Sequence, residues 1–404
     1  MTAALEFEKV DILFTGLAGR KREAAIQAAL ASLDAGRNRA EIQAATGVIV
    51  GVADASLSVE QGQIFVLMGL SGSGKSTLVR AANGLNPVTR GRVLVTDAQQ
   101  PIDVAHCDAA TLRRLRRGRI AMIFQQFGLL PWRTVRENVG LGLELRGEPA
   151  AERRRIVDEK LELVGLSQWA DHYGHELSGG MQQRVGLARA FATDAEILLM
   201  DEPFSALDPL IRSKLQDELR SLQKRVRKSI LFVTHDLDEA LRLGDRISIL
   251  EGGRIMQSGT PADIMLRPAN SHVAEFVRHV NPLSVLNGSV VMRRWRDLEL
   301  YDGRRWLDAA RQYELLSDEQ GRPVGARFDG QTLSLCEPEV PTRQGLVVAD
   351  ARTPLRQLIA CLQDTGHPVL LTDAAEFCGV CGPNEVIRAL AGSNDAREPA
   401  SATE

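Results

Sequence analysis

Ile64-Phe-Val-Leu-Met68-Gly69-Leu-Ser71-Gly72-Ser-Gly74-Lys75-Ser76-Thr77 decides the fold. The five apolar residues Ile64 to Met68 fit a strand buried on both faces. Gly69 to Ser76 then spells GxxxxGK[ST], and helical periodicity resumes from Lys75. Strand, glycine-rich loop and helix, in that order, make a phosphate-binding loop. Glycines let backbone N–H groups converge on a polyphosphate without a Cβ in the way, and the helix adds its positive end. Gly69, Ser71, Gly72, Gly74, Lys75, Ser76 and Thr77 are therefore the candidate nucleotide-binding residues. Lys75 is placed to reach the β- and γ-phosphates, and the Ser76 hydroxyl to ligate Mg²⁺. Lysine supplies only 7 of the 49 basic residues, so chance seldom puts one in this frame.

Two further stretches carry chemistry. Ile197-Leu-Leu-Met200-Asp201-Glu202 is an apolar strand ending in two acids. Beside a phosphate-binding loop, Asp201 can hold Mg²⁺ through water, and Glu202 can act as general base on the attacking water. Leu177-Ser178-Gly179-Gly180-Met-Gln-Gln-Arg184 opens a helix with a Ser-Gly-Gly turn. That is a second anion-binding device, which suggests service to another subunit's nucleotide, since one loop already covers one triphosphate. A Schellman-type turn is the alternative reading.

Around these motifs the chain alternates strands and helices, as a mainly parallel α/β sheet requires. Strands are expected at 92–95, 119–124, 196–200, 229–234, 247–250 and 254–258, with helices at 150–165, 181–192, 209–226 and 236–243 and a short helix over 261–280. Ahead of the loop come a strand over 5–14 and two strand-like pieces, 48–52 and 56–59. An Ala-rich helix at 20–33 and a second from Arg39, with Asn38 as N-cap and Gly47 as stop, form a helical hairpin. Asn281-Pro282 marks a linker. A β-α-β-like unit runs from Gly345 to Gly392, and the polar residues from Ser393 onward read as a disordered tail.

LSGGMQQR followed by ILLMDEP resembles the signature of ABC transporter nucleotide-binding domains, and the family's other elements occur in order over residues 5–280. Gln125 resembles the Q-loop glutamine that senses Mg²⁺ and the attacking water. Ser205 to Asp208 resembles the D-loop, and His235 the switch histidine at the γ-phosphate. Phe14 is the candidate for the aromatic that stacks on adenine, with a strand-end core Phe as the other reading. The resemblance implies ATP and Mg²⁺ as cofactors and Gln125, Glu202 and His235 as catalytic. It implies Ser76, Gln125 and Asp201 at the metal, and Ser178, Gly179, Gly180 and Asp208 at the nucleotide. It implies a head-to-tail homodimer, with each ATP held between Lys75 of one chain and Ser178 and Gly180 of the other. Permease subunits would dock around Gln125 to Trp132, with a substrate-binding protein as an indirect partner, on the cytoplasmic face of a bacterial inner membrane.

The hairpin, GVADASL, the Ile64–Arg80 run and FSALDPLIR narrow the resemblance to the glycine betaine/proline/choline branch of importer ATPases. Residues 353–391 resemble one half of a CBS domain, whereas 282–341 depart from that pattern. The implied architecture is a P-loop NTPase core of the ABC type with antiparallel β and helical subdomains, plus a C-terminal α+β CBS-like domain. The expected ATPase domain is 1–280, with the hairpin insertion at 17–47 and a helical signature subdomain at 128–190. A degenerate CBS-like regulatory or dimerisation domain at 281–392 and a tail at 393–404 follow.

Composition sets the remaining bounds. A net charge of -3 gives no global basic field for nucleic acid, and none is expected as partner. The cluster Arg113, Arg114, Arg116, Arg117, Arg119 reads as a solvated helix end. The alternative function, a soluble ABC ATPase acting on nucleic acid or the ribosome, would call for two cassettes or a long coiled-coil insertion. The sequence has one Lys75-type loop and no such insertion. No apolar run approaches the ~18–20 residues of a membrane span, so action at a membrane would come through another chain. Five cysteines, Cys378-x-x-Cys381 among them, form no regular framework and read as packing residues.

Overall fold

The computed structural model describes residues 3–390, except 126, 127, 279, 282, 284, 319–321, 339–342, 344, 374 and 375, so the expected tail lies outside the described residues. The chain divides into two compact units, Met1–Pro261 and Ala262–Glu404. The division falls before the expected boundary at 280 because Leu266 packs against the C-terminal core.

The first unit opens with β1 (Ala3–Phe14), the hairpin helices α1 (Gly19–Asp34) and α2 (Arg39–Thr46), and β2 (Ile49–Glu60). The two strands pair antiparallel, with register shifts between Phe7 and Val10 and around Asp54. Lys9 and Asp54 lie at these irregularities with φ of 48° and 50°. Bulges of this kind break the alternation in β1 and made one strand, β2, read as two pieces. The hairpin closes as its signals require: Asn38 and Glu41 form a reciprocal capping box, and Gly47 ends α2 in the left-handed conformation. Leu30, Leu33 and Ile42 pack with Leu13, Val48 and Val50 in a small core of their own.

Then follow β3 (Ile64–Met68), α3 (Lys75–Ala81), β4 (Arg90–Asp97), β5 (Gln100–Asp103), α4 (Ala109–Arg114) and β6 (Ile120–Ile123). Three helices come next: α5 (Val135–Arg146), α6 (Ala150–Leu163) and α7 (Gly179–Ala192). The unit continues with β7 (Ile197–Asp201), α8 (Pro209–Val226), β8 (Ser229–Thr234), α9 (Leu237–Leu243), β9 (Arg246–Glu251) and β10 (Arg254–Gly259). Two sheets result. One is antiparallel, in the order β2-β1-β4-β5. The other runs β10-β9-β3-β8-β7-β6, parallel throughout except for the β9-β10 hairpin. Phe7, Val10 and Val93 from the first meet Phe65, Leu67, Leu199 and Leu231 from the second in one core. Each such side chain contributes about 1.5–3 kcal/mol on burial. The adjacency of β3, β8 and β7 matters most, because their C-terminal ends carry Gly69, Asp201 and His235 to one edge.

The second unit takes over from the second residue of α10 (Pro261–Leu266), and α11 (Ser271–Val277) follows. The single helix expected over 261–280 is thus two. Pro268 disfavours helix at Arg267, and the Asn270 side chain caps α11 by accepting from Val273 N at 2.9 Å. After α12 (Gly288–Val291) and β11 (Arg293–Arg294) comes an antiparallel meander: β12 (Glu299–Tyr301), β13 (Arg304–Trp306), β14 (Tyr313–Ser317), β15 (Pro323–Phe328) and β16 (Gln331–Cys336). The β-α-β-like stretch folds as β17 (Gly345–Asp350), α13 (Leu355–Thr365), β18 (Val369–Asp373), β19 (Glu376–Cys381) and α14 (Pro383–Leu390). Strands β11 to β19 form one sheet. Cys381 is fully buried in its core, and burial, aided by Glu385, pushes its thiol up to about 12.

Candidate functional site

The loop after β3 is shaped by two glycines that no other residue could replace. Gly69 has φ of 151°, and a Cβ there would lie 2.1 Å from the Leu250 carbonyl oxygen. Gly74 has φ of 103°, and its Cβ would lie 2.5 Å from the Gly51 oxygen. The loop can therefore fold back on β9 and β2 only as bare backbone. Lys75, only 4% exposed, donates from Nζ to the Gly69 and Leu70 carbonyls at 2.8 and 2.9 Å. Burial lowers its pKa, and the charges of Glu202 and Asp201 oppose that shift. The ammonium thus stays within the loop, facing two acids on the neighbouring strand.

Asp201 ends β7 fully buried. The Ser76 hydroxyl donates to its Oδ1 at 2.6 Å, and Arg80 Nη2 meets its Oδ2 at 3.0 Å. The next residue, Glu202, holds φ of 50°, a left-handed conformation that is strained for a non-glycine residue. Several bonds enforce it. Its N–H donates to Val233 O at 3.1 Å, and its carbonyl accepts from Ser205 Oγ at 3.1 Å and from Gln183 Nε2 at 3.3 Å. This turn keeps the carboxylate only 15% exposed, where Gln125 Nε2 and His235 Nδ1 each lie 3.3 Å from Oε2.

A cavity of about 420 Å³ opens over these groups. Phe14, Ser71, Gly72, Gly74, Lys75, Ser76, Thr77, Gln125 and Glu202 line it, so most of the residues singled out in the sequence meet in one place. Phe14 lies across Gly51, where a Cβ would come within 2.7 Å of its ring. It is part of the cavity wall as well as of the strand-end packing. His235 lines a small adjoining cleft shared with Glu202.

Ser178, Gly179, Gly180 and Asp208 are not among the described residues lining the cavity. Ser178 and Asp208 are exposed N-caps, Ser178 accepting from Met181 N at 3.4 Å and Asp208 from Ile211 N at 3.0 Å. A larger cavity, about 1180 Å³, lies beside Asp11, Asp34 and Arg90. Those charges pair with one another, and none of the candidate residues reaches it.

Four residues had no role from sequence alone. Gln183, 1% exposed, bridges two turns: besides its bond to Glu202, its Oε1 accepts from Ala206 N at 3.2 Å. Its signal was present as the second Gln of MQQR, one turn into α7. Arg80 follows Ser76 by one helical turn, the spacing that brings both to Asp201. Arg39 and Gln43, from α2, line the cavity although the hairpin is remote in sequence from every other group there.

The ABC transporter family pattern matches residues 52–205. The chain is 42% identical over 383 residues to the glycine betaine/proline betaine transport system ATP-binding protein ProV of Escherichia coli, covering 90% of this chain and 94% of that one. It is 40% identical over 401 residues to the glycine betaine transport ATP-binding protein OpuAA of Bacillus subtilis, covering 97% and 93%. It is 48% identical over 264 residues to the trimethylamine N-oxide transport system ATP-binding protein TmoW of Ruegeria pomeroyi, covering 65% and 76%. Among solved structures, it resembles the dimeric structure of MJ0796, a bacterial ABC transporter cassette, with 30% identity and a TM-score of 0.53, covering 64% of this chain and 98% of that one. The same values hold for a post-hydrolysis dimer of that cassette bound to ADP and Pi.

Proposed function

We infer the function from one premise: the chain belongs to the ABC transporter family, as an ATP-binding subunit. Its reaction is hydrolysis of ATP to ADP and phosphate, coupled to transport. The observation that carries this is the gathering of Gln125 and His235 on the Glu202 carboxylate, at the edge of a loop built for phosphate. Glu202 acts as general base, taking a proton from the attacking water, while Lys75 and the loop amides hold the β- and γ-phosphates. Gln125 and His235 position that carboxylate. Phe14 offers its ring to the adenine.

The residues also suit Mg²⁺. The Ser76 hydroxyl, the Gln125 amide oxygen and Asp201 form an all-oxygen donor set, of which Asp201 would act through water. Held by these residues beside the phosphates, the ion would supply positive charge that offsets the negative charge developing there.

The active form is a homodimer in which Ser178, Gly179, Gly180 and Asp208 of one copy complete the site holding the other copy's nucleotide. The exposure of Ser178 outside its own chain's cavity supports this, as does a dimeric relative. Mixing Lys75→Ala and Ser178→Arg chains tests it. The heterodimer should regain one intact site and measurable ATPase activity, whereas the separate mutants have none. If the mixture is as dead as its components and the heterodimer forms, the shared site is wrong.

The transported substrate is a quaternary or related methylated amine such as glycine betaine. Likeness to betaine and trimethylamine N-oxide systems over most of the chain supports this. No helix among the described residues is long and apolar enough to cross a membrane. Transport then needs permease subunits, fed by a substrate-binding protein. Trp132, 71% exposed beyond Gln125, suits a docking surface for them at the cytoplasmic face of the membrane. In the second unit, Asn384 to Val386 fall in α14, where a CBS-like half turns into its second helix. A regulatory or dimerisation role for that unit is consistent with this placement.

A further inference from the structure

We propose that the helical hairpin is a working wall of the nucleotide site, and that Arg39 is the positioning residue that holds the phosphate-binding loop in its triphosphate-accepting shape. The inference rests on the nucleotide-site reading above. Arg39 is the first residue of α2, and its guanidinium leaves the hairpin to reach two carbonyls: Nη2 donates to Gly51 O at 2.6 Å and Nη1 to Gly72 O at 3.2 Å. Gly72 lies at the middle of the loop, and Gly51 lies on β2 under the Phe14 ring. One planar fork thus ties together the hairpin, the adenine side of the cavity and the phosphate side, a geometry that a point-charge ammonium cannot reproduce.

The surroundings are built to receive this group. Gly253, in the turn between β9 and β10, lies against the guanidinium, and a Cβ there would come within 3.1 Å of Nη2. The Gly253 N–H donates to Ser73 O at 3.0 Å, and Ala53 N donates to Gly253 O at 2.8 Å. The back of the loop is therefore fastened at two adjacent carbonyls, Gly72 by Arg39 and Ser73 by the turn. Arg39 Nε is buried with no hydrogen-bond partner, a cost borne for the position of the other two nitrogens.

A glycine-rich loop samples many shapes when free, and an anion selects among them. Fixing the Gly72 peptide in advance removes that ordering cost from binding. Gln43 follows Arg39 by one turn on the same face and lines the same cavity.

The test is calorimetric titration of the full-length chain with Mg·ATP and, separately, with inorganic tripolyphosphate, which carries the phosphates without base or ribose. R39A is expected to bind both roughly tenfold more weakly, with their ratio unchanged and the thermal midpoint of the nucleotide-free protein close to wild type. R39K, keeping one donor, should fall between. Amide exchange at 70–74 in the nucleotide-free protein should be faster in R39A, a readout that a role in hairpin packing alone would not move.

Unchanged affinity for both ligands in R39A would overturn the proposal. A loss confined to ATP would overturn it too, by making Arg39 a base or ribose contact. Should R39A fail to fold, R39K carries the same comparison, and wild-type affinity for both ligands would count against the clamp. K75A separates the two readings. If K75A loses tripolyphosphate and R39A does not, the phosphate loop stands and the hairpin's role falls. If wild type binds neither ligand, both fall.

Discussion

His235 Nδ1 lies 3.3 Å from Glu202 Oε2, the same carboxylate oxygen that Gln125 Nε2 approaches at 3.3 Å. Two neutral-capable groups from separate elements thus hold one acid whose backbone is already strained into position. A group so constrained is poised to take a proton in a fixed direction. Glu202→Gln keeps the shape and most contacts but removes the base. It should bind ATP normally, lose at least about 10²-fold in turnover and accumulate as an ATP-bound dimer on size-exclusion chromatography. Repeated turnover by this variant would remove Glu202 from the chemistry.

Gln183 touches none of the reacting groups directly, yet it holds both the Glu202 carbonyl and the Ala206 N–H. Gln183→Ala leaves the Glu202 carbonyl with only its Ser205 contacts and removes the acceptor from Ala206 N–H, at about 0.5–1.5 kcal/mol for each bond lost. The Glu202 turn should loosen more than the fold. The expected result is a fall in kcat with little change in the affinity for ATP, and Gln183→Glu, which keeps an acceptor for Ala206 N–H, should recover part of it. Equal losses in binding and turnover would mean that the phosphate loop is damaged as well.

Much of this was legible because local chemistry dictates it. Ile64 to Met68 could only be a buried strand, and Gly69 and Gly74 are required by backbone that passes within 2.5 Å of where a side chain would start. The Asn38 and Gly47 signals fixed α2 to the residue, since capping is a property of a few adjacent atoms. What could not be read depended on contacts distant in sequence. Arg39 reaches Gly72 across 33 residues, and Arg90 joins Asp11 across 79. The bulges at Lys9 and Asp54 are likewise set by pairing between strands rather than by either strand alone. In the second unit, the sequence indicated the strand–helix–strand order after Gly345, but weak alternation concealed the meander β12 to β16.

Arg90 bridges two acids, Asp11 at 2.5 Å and Asp34 at 2.8 Å, and so ties β1, β4 and the hairpin helix α1 together. Its hydrogen bonds to Asp34 and Asp11 raise its own pKa, and Asp34 is held below the usual carboxylate range by the same contact. Asp11 is buried, whereas the Arg90 side chain keeps 42% of its surface. Arg90→Ala should therefore destabilise the fold by about 1–3 kcal/mol, less than the loss of a fully buried pair. Urea unfolding at low and high salt measures it. A loss that vanishes in high salt would mean that the buried bond to Asp11 contributes nothing beyond surface attraction.

Glu239, in the first turn of α9, supplies the pH dependence that can be tested apart from catalysis. Burial raises its pKa, against the opposing hydrogen bonds from Thr234 and Gln216, and the Gln216 Nε2 donor stands 2.8 Å from Oε1. The sign follows from the folded state favouring the protonated acid. That contribution is complete below the ordinary value of 4.5, and it is lost as pH rises through the higher folded value. Glu239→Gln keeps an oxygen to accept from Gln216 and carries no charge at any pH. Near pH 4 the variant and wild type should melt together. By pH 8 the variant should melt higher, because the wild-type carboxylate must then ionise inside the protein. A gap in melting temperature that stays constant from pH 4 to 8 would show that Glu239 ionises alike in the folded and unfolded chain, and one that moves in favour of wild type as pH rises would show that it is stabilised as an anion by its place at the helix N-terminus.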